Sequence, residues 1–198
     1  MRGGTFLLLL VLLGPAPAFA DEASPMSSIF LVARKDMPDP NFRDSVVLIT
    51  HRGSAPVGVI INKPTKFSLG ESLPDLEESP VREAKLYFGG PVNAQGVVGV
   101  FRAERRPDDS VEMLAGIYMS FSKEVLREVL GRKAPTNDVR VFAGHASWAP
   151  GQLEAEIARG DWHLARADAA TIFAAKPEAL WTQMERRASA SKARFIQR

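Results

Sequence analysis

With 198 residues and 45% hydrophobic composition, the chain is long enough to bury one sizeable core, which excludes a disordered polar chain and fits a single domain. Its formal charge of +2 at pH 7 balances 25 basic against 23 acidic residues with no long basic block, so charge gives little support to nucleic-acid binding. The absence of cysteine excludes disulfides and thiolate chemistry and fits an oxidising compartment without demanding one.

Residues 1–20 carry Arg2, an unbroken apolar run from Phe6 to Leu13, the breaker Gly14-Pro15, and Ala18-Phe19-Ala20, an A-x-A site. That order predicts a secretory signal peptide cleaved after Ala20, and its apolar run is too short to span a bilayer of about 30 Å. The mature chain would begin at Asp21 with a short leader, 21–27, and be periplasmic or secreted. The alternative is a start at Met26, which would make a cytoplasmic protein.

Ser28 to Ala33, Ser45 to Thr50 and Pro56 to Asn62 are near-continuous Val/Ile/Leu runs, expected as strands buried on both faces. The link from His51 to Ser54 predicts a hairpin between the second and third. Lys63-Pro64 reads as the end of that strand, and Phe67 to Glu78 as a short helix or helical turns interrupted by Pro74. Lys85 to Phe88 is a further strand closed by Gly89-Gly90-Pro91. Val97 to Phe101 and Val111 to Met119 flank the charged turn Glu104 to Asp109 as a second hairpin, and Ser122 caps a helix from Lys123 to Leu130, ended at Gly131. Val139 to Phe142 predicts a short strand stopped at Gly144, then a turn carrying His145, Ser147 and Trp148, then a helix opened by Pro150. Leu153 and Ile157 lie on one face of that helix, which stops at Gly160. A short strand from Trp162 to Leu164 and a last helix over Pro177 to Ala190 complete a single domain over 28–188, with a solvated basic tail, 189–198. Hairpins interspersed with three or four helices make the class α+β rather than a regularly alternating sheet.

No complete catalytic motif, metal framework or nucleotide loop stands out, and no cofactor is expected. The segment from Gly144 to Trp148 is not G-x-S-x-G, because no glycine follows the serine by two. The three histidines, His51, His145 and His163, lack metal-ligand spacing, and Glu154 and Glu156 diverge around their helix by about 200°. The plainer reading of the Trp-bearing turn is a core plug beside a helix start.

DPNFRDSVVLITH at Asp39 to His51, PVGVIINKP at Pro56 to Pro64, LYFGGPV at Leu86 to Val92 and FAGHASWAPGQLEAEI at Phe142 to Ile157 together resemble the bacterial YqgE/AlgH family, over roughly Ser28 to Ala188. The resemblance implies one α+β domain whose bifurcated sheet curls into a pseudo-barrel with peripheral helices. It implies little about activity, although one branch of the family is linked by name to alginate regulation as a transcriptional regulator. The chain departs from the family in its signal peptide and at three motif positions: His145 where Tyr is usual, and Ser147 and Pro150 where Gly and Ala are common.

Three functions compete. The first is an exported, non-enzymatic binding or regulatory module taking a small molecule or protein on the motif loops, with Asn62, Lys63, Gly89, Gly90, Pro91, His145, Ser147, Trp148 and Gln152 as the candidate contacts. The second is a hydrolase using His145 as base with Ser147 or Gln152 assisting. The third is a nucleic-acid-binding regulator, against which the basic pairs Arg34-Lys35, Arg105-Arg106, Arg132-Lys133 and Arg186-Arg187 are scattered among acidic neighbours.

Overall fold

The strands send alternate apolar residues to opposite sides, and this sets the architecture. In β1 (Ile29–Ala33), Phe30 and Val32 enter one core cluster while Leu31 and Ala33 enter another. β2 (Val46–Arg52) and β3 (Ala55–Ile60) repeat the pattern: Val46, Leu48, Val57 and Val59 join the first cluster, Val47, Ile49 and Ile60 the second. A period of two with apolar residues at every position means burial on both faces, as the sequence predicts.

The computed structural model describes residues 28–52, 55–73, 79, 81–131 and 138–196. The expected signal peptide, the leader and Met26 lie outside the described residues, as do the last two residues of the expected tail. The remaining strands are β4 (Pro64–Ser68), β5 (Lys85–Phe88), β6 (Val92–Arg102), β7 (Ser110–Leu114), β8 (Ile117–Ser120), β9 (Val139–Ser147) and β10 (Trp162–Arg166). The helices are α1 (Leu69–Ser72), α2 (Lys123–Gly131), α3 (Gln152–Arg159), α4 (Ala169–Ile172) and α5 (Leu180–Ile196), the last entered through a 3-10 turn at Pro177–Ala179.

The ten strands form a curled half-barrel in the order β10-β1-β2-β3-β9-β6-β8-β7, with β5 and β4 branching off at β9. The fork has a simple geometry. On one side of β9, Val139 to Ala143 pairs with β6. On the other, Val141 to Ala143 pairs in parallel with β5, and Ala146 and Ser147 pair with β3. The fold is therefore the expected α+β class with a bifurcated, curled sheet, and five helices are present among the described residues. α4 and α5 close the first cluster through Ile172 and Leu180. α2 covers the other face of β6 and β9 with Val125, Leu126, Val129 and Leu130, its start capped by the Ser122 hydroxyl accepting from Val125 N at 3.3 Å.

Four local expectations are corrected. Pro64 opens β4 rather than ending β3. β4 pairs only with β5, and an edge strand tolerates a residue with no N–H to donate. The run Val111 to Met119 is not one strand: Gly116, with φ +73°, reverses the chain within it. As a result β7 and β8 form a hairpin of their own, and the expected pairing of Val97 to Phe101 with this run is made by its second arm alone, Val100 opposite Met119 and Phe101 opposite Tyr118. Gly144 does not stop β9, which continues to Ser147. Finally, the sequence does not predict α4, and α5 runs on to Ile196 where the sequence predicts a helix ending at Ala190.

Candidate functional site

The loop between β1 and β2 is fixed from below by the residues that follow β3. The Asp39 carboxylate accepts from Asn41 N at 2.8 Å, turning the chain so that Phe42 is buried and Asp44 takes a left-handed φ of 54°. Asn62, only 5% exposed, spans the resulting gap: its Oδ1 accepts from Val46 N at 2.7 Å and its Nδ2 donates to Asp44 O at 2.8 Å. Lys63 donates from Nζ to Asn41 O at 2.9 Å. Burial pulls the Lys63 ammonium below the ordinary lysine value, partly offset by the charges of Asp44 and Asp39.

Gly89 and Gly90 fill the fork where β3 and β5 separate from β9. Gly89 N donates to Ala143 O at 2.8 Å and Gly89 O accepts from Ile60 N at 2.8 Å. A Cβ on Gly89 would stand 2.3 Å from Gly144 O, and one on Gly90 2.4 Å from the backbone of His145. Both glycines allow backbone-to-backbone approach, and the Gly89 peptide groups are already engaged, which favours the tight-packing reading over an anion cradle there. Pro91 is exposed beyond them, and Val92, 38% exposed, pairs with His145.

His145 and Ser147 are strand residues, which corrects their expected place on a turn. Gly144 at φ +68° bends β9 without breaking it. His145 is half-buried and meets Phe121 edge-on, with ring centroids 5.2 Å apart, while Ser147 is exposed opposite Val57. The turn proper comes later, at Ala149 to Gly151, where Gly151 takes φ +79° before α3.

Trp148 is a core residue, as the plainer reading has it. It stacks on Phe42 at 5.9 Å and meets Trp162 at 6.4 Å, and Phe42 meets Trp162 at 5.5 Å. Both indoles donate to the same oxygen: Glu156 Oε2 accepts from Trp148 Nε1 at 2.9 Å and from Trp162 Nε1 at 3.0 Å. Gln152 completes the arrangement, donating to Glu156 Oε1 at 2.9 Å and accepting from Ala149 N at 3.1 Å. In the sequence Glu156 reads only as a carboxylate that diverges from Glu154. The better signal was its spacing, eight residues after one tryptophan and six before another.

The structure thus links the candidate residues into one ledge along the β3–β9 junction in the middle of the sheet. Asn62 and Lys63 are tied to the 39–44 loop, that loop to Trp148 through Phe42, and Gly89 and Gly90 to Gly144 and His145. Most of these groups serve the frame. The exposed rim is left to Asn41, Pro91, Ser147, Pro150 and Gln152, with Lys63 partly exposed.

Sequence reasoning missed a second place. Arg140 is the one charge in the apolar run VRVF, and it is 9% exposed. Its guanidinium lies 4.7 Å from the Tyr87 ring centre, Nη2 donates to Ala174 O, and Nη1 is buried with no hydrogen-bond partner among the described residues. Burial lowers the Arg140 pKa and raises that of Tyr87; the charge of each group acts on the other against these shifts, and Glu178 acts on both through space. Both line a cleft of about 170 Å³ with Lys85, Phe173, Ala174 and Ala175. A charge inside a run of strand-forming apolar residues is the signal that could have found it. Among the described residues, no group of three metal-ligating side chains gathers anywhere.

Comparison with known proteins accords with this geometry. A family model described as AlgH-like matches residues 30–193. The UPF0301 protein of Methylococcus capsulatus is 36% identical over 173 residues, 84% of this chain and 93% of its own length. That of Xanthomonas oryzae pv. oryzae is 33% identical over 163 residues, 80% and 86% respectively. The solution structure of the AlgH protein from Pseudomonas aeruginosa is similar with a TM-score of 0.64 at 30% identity, covering 86% of this chain and 90% of that one. A crystal structure of a Corynebacterium diphtheriae protein gives 0.66 at 30% identity, covering 81% and 86%.

Proposed function

The chain belongs to the AlgH-like family, and from that premise we propose that it is an exported, non-enzymatic binding or regulatory module whose ledge takes a small molecule or protein. The observation carrying this reading is that four segments distant in sequence are locked into one rigid frame. Asn62 clamps Asp44 and Val46, Gly89 abuts Gly144, Phe42 stacks on Trp148, and Glu156 joins two indoles. A rigid frame that offers a short polar rim is suited to recognition, because little ordering entropy is lost on binding. The polar groups of the motif are spent on holding backbone and indoles, which supports a scaffold over a reacting set. Residues 1–20 support export, with the start at Met26 as the competing reading that would return the protein to the cytoplasm.

Two experiments test the proposal. A thermal-shift screen of metabolites, anions and peptides should find a ligand that raises Tm in the parent and much less in Lys63→Met or Gln152→Ala. A screen in which nothing stabilises the protein counts against the ledge. Fractionation with N-terminal sequencing should recover a chain beginning at Asp21 outside the cytoplasm. A cytosolic chain beginning at Met26 would restore the gene-regulator reading, and turnover of an ester or amide abolished by His145→Ala would restore the hydrolase.

A further inference from the structure

We infer that the cleft lined by Arg140, Tyr87 and Lys85, beside the α4–α5 connection, binds the oxyanion group of a small metabolite, a carboxylate or a phosphate. It is separate from the ledge: five residues of β9 place Arg140 roughly 16 Å along the strand from His145, so the two sites stand or fall independently.

The first support is an imbalance. Arginine stays charged at any physiological pH, and a buried cation is disfavoured unless acceptors or an anion meet it. Arg140 is 9% exposed, yet among the described residues it has one carbonyl, Ala174 O, and one aromatic face, Tyr87. Its Nη1 has no acceptor. Among the described residues, Arg34, Arg82 and Arg102 have carboxylate partners whose side chains are at least a third exposed, where a pair is least needed.

The second support is the space itself. The guanidinium borders a cleft of about 170 Å³, below the roughly 300–1,000 Å³ of drug-sized sites. Lys85 also borders the cleft, its Nζ donating to Lys66 O at 3.5 Å, while Tyr87 brings a phenol and Phe173 an apolar wall that is itself covered by Arg102 at 4.9 Å. Arg102 is in turn held by Asp138 at 3.0 Å. Glu178 acts on Arg140 through space without a contact to Nη1, and a planar fork of donors matches the two oxygens of a carboxylate or phosphate. Arg140 is held in place by neighbours on β5 and the α4–α5 connection, so the fork is pre-set before any ligand arrives.

The test is an amide-NMR titration of the full chain with inorganic phosphate and, separately, with sodium acetate, each against sodium chloride at matched ionic strength. The expected result is a saturable change centred on Ala174, Ala175, Tyr87 and Arg140 with at least one probe. Its affinity should fall at least tenfold in Arg140→Met and several-fold in Tyr87→Phe. Saturation by phosphate alone identifies the ligand as a phosphorylated metabolite, by acetate alone as a carboxylate. Changes that never saturate, that match those in chloride, or that persist unaltered in Arg140→Met overturn the inference. Should Arg140→Met not fold, Tyr87→Phe, which removes one hydroxyl, and the residue-level map on the parent protein decide the same question.

Discussion

Replacing Glu156 by alanine isolates the group on which the aromatic frame depends. Its Oε2 accepts from two indole N–H groups whose side chains are each 4% exposed. A hydrogen bond to a charged acceptor contributes about 1.5–3 kcal/mol, and an orphaned buried donor costs a similar amount. Glu156 is itself only partly buried, so water partly replaces what is lost, and the expected cost is about 3 kcal/mol. For a domain of this size that lowers Tm by roughly 6–12 °C. Glu156→Gln retains an uncharged acceptor and should cost about 1 kcal/mol, while the exposed neighbour Glu154→Ala should stay within about 0.5 kcal/mol. Urea denaturation read by tryptophan fluorescence is the natural assay, since the chain's three tryptophans, 148, 162 and 181, all pack in or against this cluster. A Glu156→Ala cost below about 1 kcal/mol, or one equal to that of Glu154→Ala, refutes the assignment of a shared, structure-holding acceptor.

Gly89→Ala forces a Cβ to 2.3 Å from Gly144 O and should cost more than about 3 kcal/mol, whereas Gly131→Ala, with nothing within 4 Å, should be neutral or gain about 0.5 kcal/mol; thermal melts of the pair compare them directly. Asn62→Ala orphans the buried Val46 N and frees the 39–44 loop, costing about 2–3 kcal/mol, and amide exchange should rise locally at Asn41 to Val46. The Glu71 carboxyl is lowered below its ordinary 4.5 chiefly by the Ser68 backbone N–H, so its contribution is complete above pH 4.5 and is lost as pH falls through the lower folded value. Urea midpoints measured from pH 6 down to pH 2.5 should therefore fall less steeply in Glu71→Gln; equal slopes would contradict the capping-box role.

The sequence reveals the strands that are apolar throughout and the helices that begin and end on strong signals. β1 to β3 are continuous Val/Ile/Leu runs, α2 follows Ser122, and α3 ends at Gly160 with φ +84°. What misleads is glycine in a left-handed conformation, because residue type does not tell whether the chain reverses there. Gly116 turns the chain back within an apolar run, while Gly144 only bends a strand that continues to Ser147. The neighbours decide: β3 waits to pair with Ala146 and Ser147, and no local pattern reveals that partner from nearly ninety residues away. The candidate site is legible for the same reason in reverse. Its motif segments are the residues that lock the fork, so reading them as surface contacts mistakes much of the frame for the rim. Arg140 is hard to read for another reason: its apolar neighbours define the strand and hide the charge within it.

β9 also decides when this protein becomes whole. It is the strand through which β1-β2-β3, β4-β5 and β6-β8-β7 are hydrogen-bonded into one sheet. A ribosome-bound chain ending before Val139 therefore holds three short ladders with open edges and no ladder connecting them. Such fragments cannot complete the fold, however favourable each hairpin is, until the last third of the chain has emerged. Synthesis proceeds from one end, so most of this chain spends its early life without the strand that unites it, still loose enough to be threaded, chaperoned or degraded.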